Sequence, residues 1–131
     1  MKPGDVLGPS PVGSIEAAPM RVMSDLLRDP NPIHLDRAAT RRLGLGDRLV
    51  NPGPINMGHL MEMLGRVGAI RRLTLRHLGT VREGDRLVAG GIVRSVEDAA
   101  GERRATCEVW LDRDDGERLL AGTAVLAIGD D

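Results

Sequence analysis

Residues 54–67 read Pro54-Ile55-Asn56-Met57-Gly58-His59-Leu60-Met61-Glu62-Met63-Leu64-Gly65-Arg66-Val67, and this stretch decides the architecture. Met57, Leu60, Met61, Leu64 and Val67 recur at i, i+3, i+4, i+7 and i+10, a continuous apolar stripe on one helix. Pro54 suits the first turn, where an intrahelical N–H is not needed. Gly58, Gly65 and Gly68 each lower intrinsic helix stability by about 1 kcal/mol relative to Ala. A helix that tolerates them is expected to be buried, with something packed closely against it.

Beyond residue 69 the period changes to two. Leu73, Leu75 and His77 alternate with Arg72, Thr74 and Arg76, and Arg86–Glu97, Arg103–Arg113 and Arg118–Ile128 all read as strands. Turn signals separate them at Glu83-Gly84-Asp85, at Asp98–Glu102 with Gly101, and at Asp114-Asp115-Gly116. Short connections favour an antiparallel meander. Upstream, Pro19–Leu27 carries Val22, Met23, Leu26 and Leu27 at helical spacing, and Pro30 and Pro32 must end that helix. Asp36 is placed to cap a short helix reaching Leu43, with Gly44 as its stop. Residues 1–13, rich in Pro and Gly, read as an extended lead-in with at most one short strand. The expected class is α+β: one domain over 1–131, helices first, then a long-stranded antiparallel sheet wrapped around helix 54–67.

Composition narrows the function classes. Of 131 residues, 28% are charged and 41% hydrophobic, which is globular balance, and the formal net charge is -1 with no like-charged tail. Neither nucleic acid nor an anionic membrane is an expected partner. Phe and Tyr are absent and Trp110 is the one aromatic residue, so base-stacking platforms are disfavoured too. Cys107 is alone, so no internal disulfide can form. The N-terminus lacks a signal-peptide pattern and no apolar run approaches a bilayer span, so a cytoplasmic protein is expected.

Asp29, Asn31 and His34 fall in the segment Asp29-Pro30-Asn31-Pro32-Ile33-His34, between two expected helices and stiffened by two prolines. A carboxylate and an imidazole on a rigid turn are the parts of a general acid–base pair. Asp and Asn also start turns for local reasons, and the residues alone leave both readings open. A metal set built on Asp29, Asn31, His34 and Asp36 would have one histidine and no second ligand-rich segment, so no metal is expected.

Val22 through Asp36 resembles the hydratase-2 signature of the MaoC-like dehydratases, whose core is Asp-x-Asn-Pro-x-His. Gly4-Asp5, Val50-Asn51-Pro52-Gly53-Pro54, Arg82-Glu83-Gly84-Asp85, Asp115-Gly116-Glu117 and Gly122-Thr123-Ala124 extend the resemblance through most of the chain. Pro52 stands where many members carry His, and Arg28 where a small or acidic residue is frequent. The resemblance implies a single hotdog fold, an antiparallel sheet around one helix. It also implies reversible hydration of a trans-2-enoyl thioester to a (R)-3-hydroxyacyl thioester carried on coenzyme A or acyl carrier protein. Asp29 and His34 would then manage water and protons, Asn31 would orient them, and the Gly53 N–H would donate to the thioester oxygen. Pro54, Met57 and Met61 would line the acyl site. No cofactor is implied beyond the carrier. A dimer is expected, homo- or hetero-, because family sites form between two units.

Three rivals accompany this reading: a hotdog tailoring enzyme on another thioester, one subunit of a heterodimeric hydratase, and an acyl-CoA thioesterase using Glu62, the one carboxylate of helix 54–67. His59, off the apolar stripe, reads as structural or surface. His77 shares parity with Leu73 and Leu75 and reads as inward-pointing. Cys107 reads as core. Arg71, Arg72 and Arg76 read either as contacts for carrier phosphates or as a solvated strand face.

Overall fold

The computed structural model describes residues 1–129. Strand β3 (Arg86–Ala99), β4 (Glu102–Arg113) and β5 (Arg118–Ile128) form the expected hairpins. The β3–β4 turn places Ala100 and Gly101 both at positive φ, the geometry that matches the twist of paired strands. Alternation buries Leu87, Ala89 and Val93 of β3, Ala105, Cys107, Val109 and Leu111 of β4, and Leu120, Ala124 and Leu126 of β5. Each fully buried large aliphatic side chain contributes roughly 1.5–3 kcal/mol.

Helix α3 (Gly53–Gly65) lies against this face and contacts the sheet through Leu60, Met63 and Leu64, all buried. The expected stripe is rotated. Leu60 and Leu64 lie at its centre as read, but Met61 is 47% exposed, and Met63 and Asn56 are buried instead. Asn56 can be buried because its side-chain carbonyl accepts a hydrogen bond from the Asn51 amide at 2.6 Å. The close packing expected at the helix glycines is also absent at two of them. A side chain on Gly58 or Gly65 would meet nothing within 4 Å, whereas one on Gly68 would strike the Ala127 carbonyl.

A simple meander does not describe the sheet. Strands β1 (Val6–Ser14) and β2 (Ala69–His77) complete it in the order β1-β3-β4-β5-β2, all neighbours antiparallel. Strand β2 pairs with β5, not with β3; between β2 and β3, residues 81–84 bond to the 49–51 segment and to Ile15. Strand β1 is longer than the lead-in suggested. Pro9 and Pro11 are tolerated because β1 is an edge, where a missing N–H need not break a ladder. The other edge is β2.

Between β1 and α3 come α1 (Ala17–Leu27), a 3-10 turn at Pro32–His34 and α2 (Arg37–Arg42). Asp36 caps α2 as expected, its carboxylate accepting from the Ala38 N–H at 2.8 Å. The Glu83-Gly84-Asp85 turn serves the fold. Asp85 is buried, accepts the Arg82 N–H at 2.9 Å and meets Arg48 at 3.0 Å and Arg113 at 3.6 Å. No helix is long and apolar enough to cross a membrane among the described residues.

Candidate active site

Helix α1 ends on Arg28, in the left-handed region at φ 51°. Its N–H bonds the Asp25 carbonyl and the Asp29 N–H bonds the Ser24 carbonyl, closing the last turn and turning the chain out of the helix axis. Asp29 Oδ1 then accepts the Asn31 N–H at 3.1 Å, and Asn31 Oδ1 accepts the Ile33 N–H at 3.3 Å. Each side chain therefore starts a turn, and the second caps the 3-10 turn that delivers His34. The local reading is correct for one carboxylate oxygen of Asp29 and for the side-chain oxygen of Asn31.

The other Asp29 oxygen points elsewhere. Oδ2 lies 3.7 Å from His34 Nε2. That gap is too long for a direct hydrogen bond, and a water can lie against both atoms across such a distance. His34 Nδ1 donates to the Val50 carbonyl at 2.7 Å, which leaves Nε2 as the nitrogen facing the carboxylate. The His34 side chain is 10% exposed and that of Asp29 41%, so a held imidazole sits behind an accessible carboxylate. Asp29 also lines a surface cavity with Ser24, Asp25, Arg28, Pro30 and Leu35.

The same loop that fixes His34 also fixes the start of α3. The Val50 N–H bonds the Ile33 carbonyl at 2.9 Å, the Asn51 N–H bonds the Val81 carbonyl at 2.8 Å, and the Asn51 amide reaches Asn56 in the first turn of α3. Gly53 is the first residue of that helix and no side chain caps it. Its N–H lies among those that helix geometry leaves unpaired, and Pro54 has none to offer. The imidazole of His77 flanks this point: a Cβ on Gly53 would lie 3.4 Å from His77 Cε1. His77 faces the start of α3, the direction strand parity indicated, but it stands at the end of β2 and is exposed.

Of the acyl-lining candidates, Pro54 is exposed and lines an apolar groove between α1 and α3. Met57 packs partly against the core and Met61 faces outward. The buried pair Asn51 and Asn56 escaped the sequence reading. An Asn within an otherwise apolar helix was the one signal for it.

Other ionisable groups serve other purposes. Glu102, held by Arg71 and Arg104, has its pKa lowered to about 2. Arg71 is committed to Glu102 by two bonds at 2.9 and 3.0 Å, which favours the strand-face reading for that residue. Burial lowers the His59 pKa, with nearby Glu62 opposing, and its Nε2 is buried without a hydrogen-bond partner. Cys107 is buried, and that burial pushes its thiol up, away from thiolate chemistry. The described residues include no group of three or more His, Cys, Asp or Glu that could hold a metal ion.

Solved structures share this architecture over nearly the whole chain. An (R)-hydratase from A. caviae involved in PHA biosynthesis is 20% identical, covers 98% of this chain and 98% of its own, and superposes with a TM-score of 0.83. A MaoC-like dehydratase from Rhodospirillum rubrum is also 20% identical, over 100% of this chain and 96% of its own, at 0.77. The HadBC (3R-hydroxyacyl-ACP dehydratase) complex from Mycobacterium tuberculosis gives 20% identity, 96% coverage of both chains and 0.72. The chain has the hotdog fold of these proteins. No family model matches the sequence, and no curated protein does. The hotdog sheet and its central helix are therefore established by three-dimensional similarity, at an identity that carries the fold and not the reaction.

Proposed function

We propose that this hotdog protein adds water across the double bond of a trans-2-enoyl thioester, giving a (R)-3-hydroxyacyl thioester, and catalyses the reverse elimination. The observation that carries the reading is the 3.7 Å gap between Asp29 Oδ2 and His34 Nε2, with His34 fixed through Nδ1 to the loop that begins α3. In hydration, the water oxygen bonds to C3 of the enoyl group, its proton passes to the Asp29–His34 pair, and a proton is delivered to C2. The carbon–carbon π bond is lost, and the elements of water close the balance. Charge building on the thioester oxygen is met by the Gly53 N–H at the positive end of α3. Asn31 acts by holding the turn, since its side-chain oxygen caps Ile33. The substrate is carried on coenzyme A or acyl carrier protein, and the working unit is a dimer.

The thioesterase rival is weakened by Glu62, which is exposed and bonded to Arg66 at 2.7 Å. The test is the loss of enoyl absorbance when purified protein meets crotonyl-CoA and longer enoyl-CoAs, beside Asp29→Asn and His34→Ala. Hydration that collapses in both variants supports the reading. Release of free thiol, or no hydration at any chain length by folded protein, removes it.

A further inference from the structure

The sequence holds three histidines, and each stands in a different condition. His34 is tied through Nδ1 to Val50 and turned toward Asp29. His59 is desolvated, with Nε2 buried and unpartnered. His77 is exposed at the end of β2, and among the described residues no hydrogen bond or ion pair engages its ring. Exposure alone gives a histidine no task. Its position does.

The Cε1–Nε2 edge of the His77 ring faces the α-carbon of Gly53. A Cβ there would stand 3.4 Å from Cε1 and 3.7 Å from Nε2, and nothing beyond its own helix and chain neighbours comes as close. The imidazole thus closes on the residue that opens α3. Backbone bonds fix this approach from both sides. His77 pairs with Leu120 of β5, and the Leu78 and Gly79 N–H groups both donate to the Leu119 carbonyl, at 2.8 and 3.3 Å. The chain then returns at Val81, whose carbonyl accepts the Asn51 N–H at 2.8 Å, and at Arg82, which bridges to Val50. The Val50 carbonyl in turn holds His34. One short run, Val50 to Gly53, therefore meets His34 at its first residue and His77 at its last. Its ends are at most about 11 Å apart, the reach of three extended residues. Strand β2 is a sheet edge, so within the chain no further strand covers that side of His77.

We propose that His77 is a further catalytic residue of this site, its ring N–H donating a hydrogen bond to the thioester oxygen beside the Gly53 N–H. The inference rests on the enoyl-thioester reading for what is bound there. As the water oxygen bonds to C3, π electrons move toward the thioester oxygen, and two donors then share the charge that builds on it. An imidazole suits this role, because one ring nitrogen carries a proton in either tautomer, and histidine side chains serve among the donors that meet such oxyanions. Glycine at 53 keeps the space between the ring edge and the helix backbone clear. No proton leaves His77, so the balance of the hydration is unchanged.

Two substitutions in the full-length protein separate a donor from a prop. His77→Phe keeps a ring without an N–H, and His77→Gln keeps an N–H without the ring. His77 is exposed, so both are expected to fold, with Tm as the check; His77→Ala carries the same comparison where His77→Phe does not. The first readout is hydration of crotonyl-CoA. His77→Phe should lower kcat on the order of 10² with KM little changed, and His77→Gln should lower it less. The second readout is the absorbance of 2,4-hexadienoyl-CoA bound to Asp29→Asn, in which turnover is suppressed. A hydrogen bond to the thioester oxygen moves that absorbance to longer wavelength, and the shift should shrink when His77→Phe is added to Asp29→Asn. Both changes together support the donor. Undiminished hydration by His77→Phe, still dependent on Asp29, overturns the proposal and leaves the reaction standing. A fall in kcat with an unaltered absorbance shift makes the ring a prop for the Gly53 turn and also overturns it. Wild type that hydrates no enoyl-CoA but shifts the dienoyl absorbance in a His77-dependent way keeps the donor and removes the reaction. Wild type that neither hydrates nor shifts the absorbance overturns both.

Discussion

The sheet and the segment from Ile15 to Pro52 are held by different means. In β4, and over parts of β3 and β5, alternate residues enter one apolar core, and that alternation supports the strand register. Between β1 and α3 the chain buries little. Ile15, Met20, Ala39 and Leu49 are its apolar anchors, while Val22, Leu26, Leu27 and Leu43 stay exposed. Its shape comes from caps and turns: Asp29 to Asn31, Asn31 to Ile33, Asp36 to Ala38, and His34 to Val50. The core can therefore tolerate changes in loop chemistry, and the chemistry can be changed without touching the core.

The largest effect expected from this division is on activity. Asp29→Asn and His34→Ala should each lower hydration on the order of 10² or more, the usual worth of acid–base help. Asp29→Asn should leave urea-unfolding stability nearly unchanged, because Asp29 is partly exposed and the Asn carbonyl can still accept the Asn31 N–H. The opposite pattern is expected from Leu60→Ala in the core. It should cost about 2–5 kcal/mol of stability, with the folded fraction still active. If Asp29→Asn unfolds the protein, or Leu60→Ala abolishes turnover in folded molecules, the division is wrong.

How much of this could be read from sequence follows the same line. Strand β5 was legible to its end residues and α3 to within two, because their periodicity reports burial directly. Strand β1 was obscured by Gly8, Pro9, Pro11 and Gly13, whose local preferences speak against a strand that an edge position permits. The placement of β2 beside β5 was not legible, since residues 78–85 contain no signal for which neighbour the chain will find. The Asp29–His34 pair was legible as a motif, whereas the framework that holds it was not. Val50 contributes through its backbone, and Asn51 and Asn56 find each other only once α3 is seated.

Asn51 and Asn56 link the two regions, so they should move both readouts. Asn51→Ala leaves the Asn56 carbonyl buried without its donor, at an expected cost of about 1–3 kcal/mol. It also loosens the loop whose Val50 carbonyl orients His34, so activity should fall in step. A double replacement by apolar residues should recover part of the stability and little of the activity. Equal recovery of both would show that the pair serves packing alone.

Acid should reveal a smaller difference. His59 has its pKa lowered by burial, so the unfolded chain binds the proton more readily than the folded one. The stability tied to its neutral form is present above the ordinary histidine value of 6.5 and is lost as pH falls through the lowered value. In His59→Leu that component of the acid sensitivity should disappear from urea midpoints measured between neutral and mildly acidic pH. An identical pH profile in wild type and variant would mean that the imidazole is not desolvated as its surroundings imply.

The smallest expected effect tests whether the site stores strain. Arg28 holds φ 51° and ψ 41°, a conformation that suits glycine and is unfavourable for a side chain by roughly 1–2 kcal/mol. It does so at the residue before Asp29, where the α1 axis ends and the chain turns toward the 3-10 turn. Arg28→Gly relieves that strain but frees the unfolded chain, so a net gain of about 1 kcal/mol or less is expected. The backbone bonds of residues 28 and 29 to Asp25 and Ser24 do not involve the arginine side chain, so Asp29 should keep its place and activity should persist. A gain in stability with undiminished turnover would separate the turn's geometry, which positions the carboxylate, from the residue that forms it. A loss of turnover in a stabilised variant would instead give the Arg28 guanidinium, beside Asp29 in the same surface cavity, a direct part in binding the thioester's carrier.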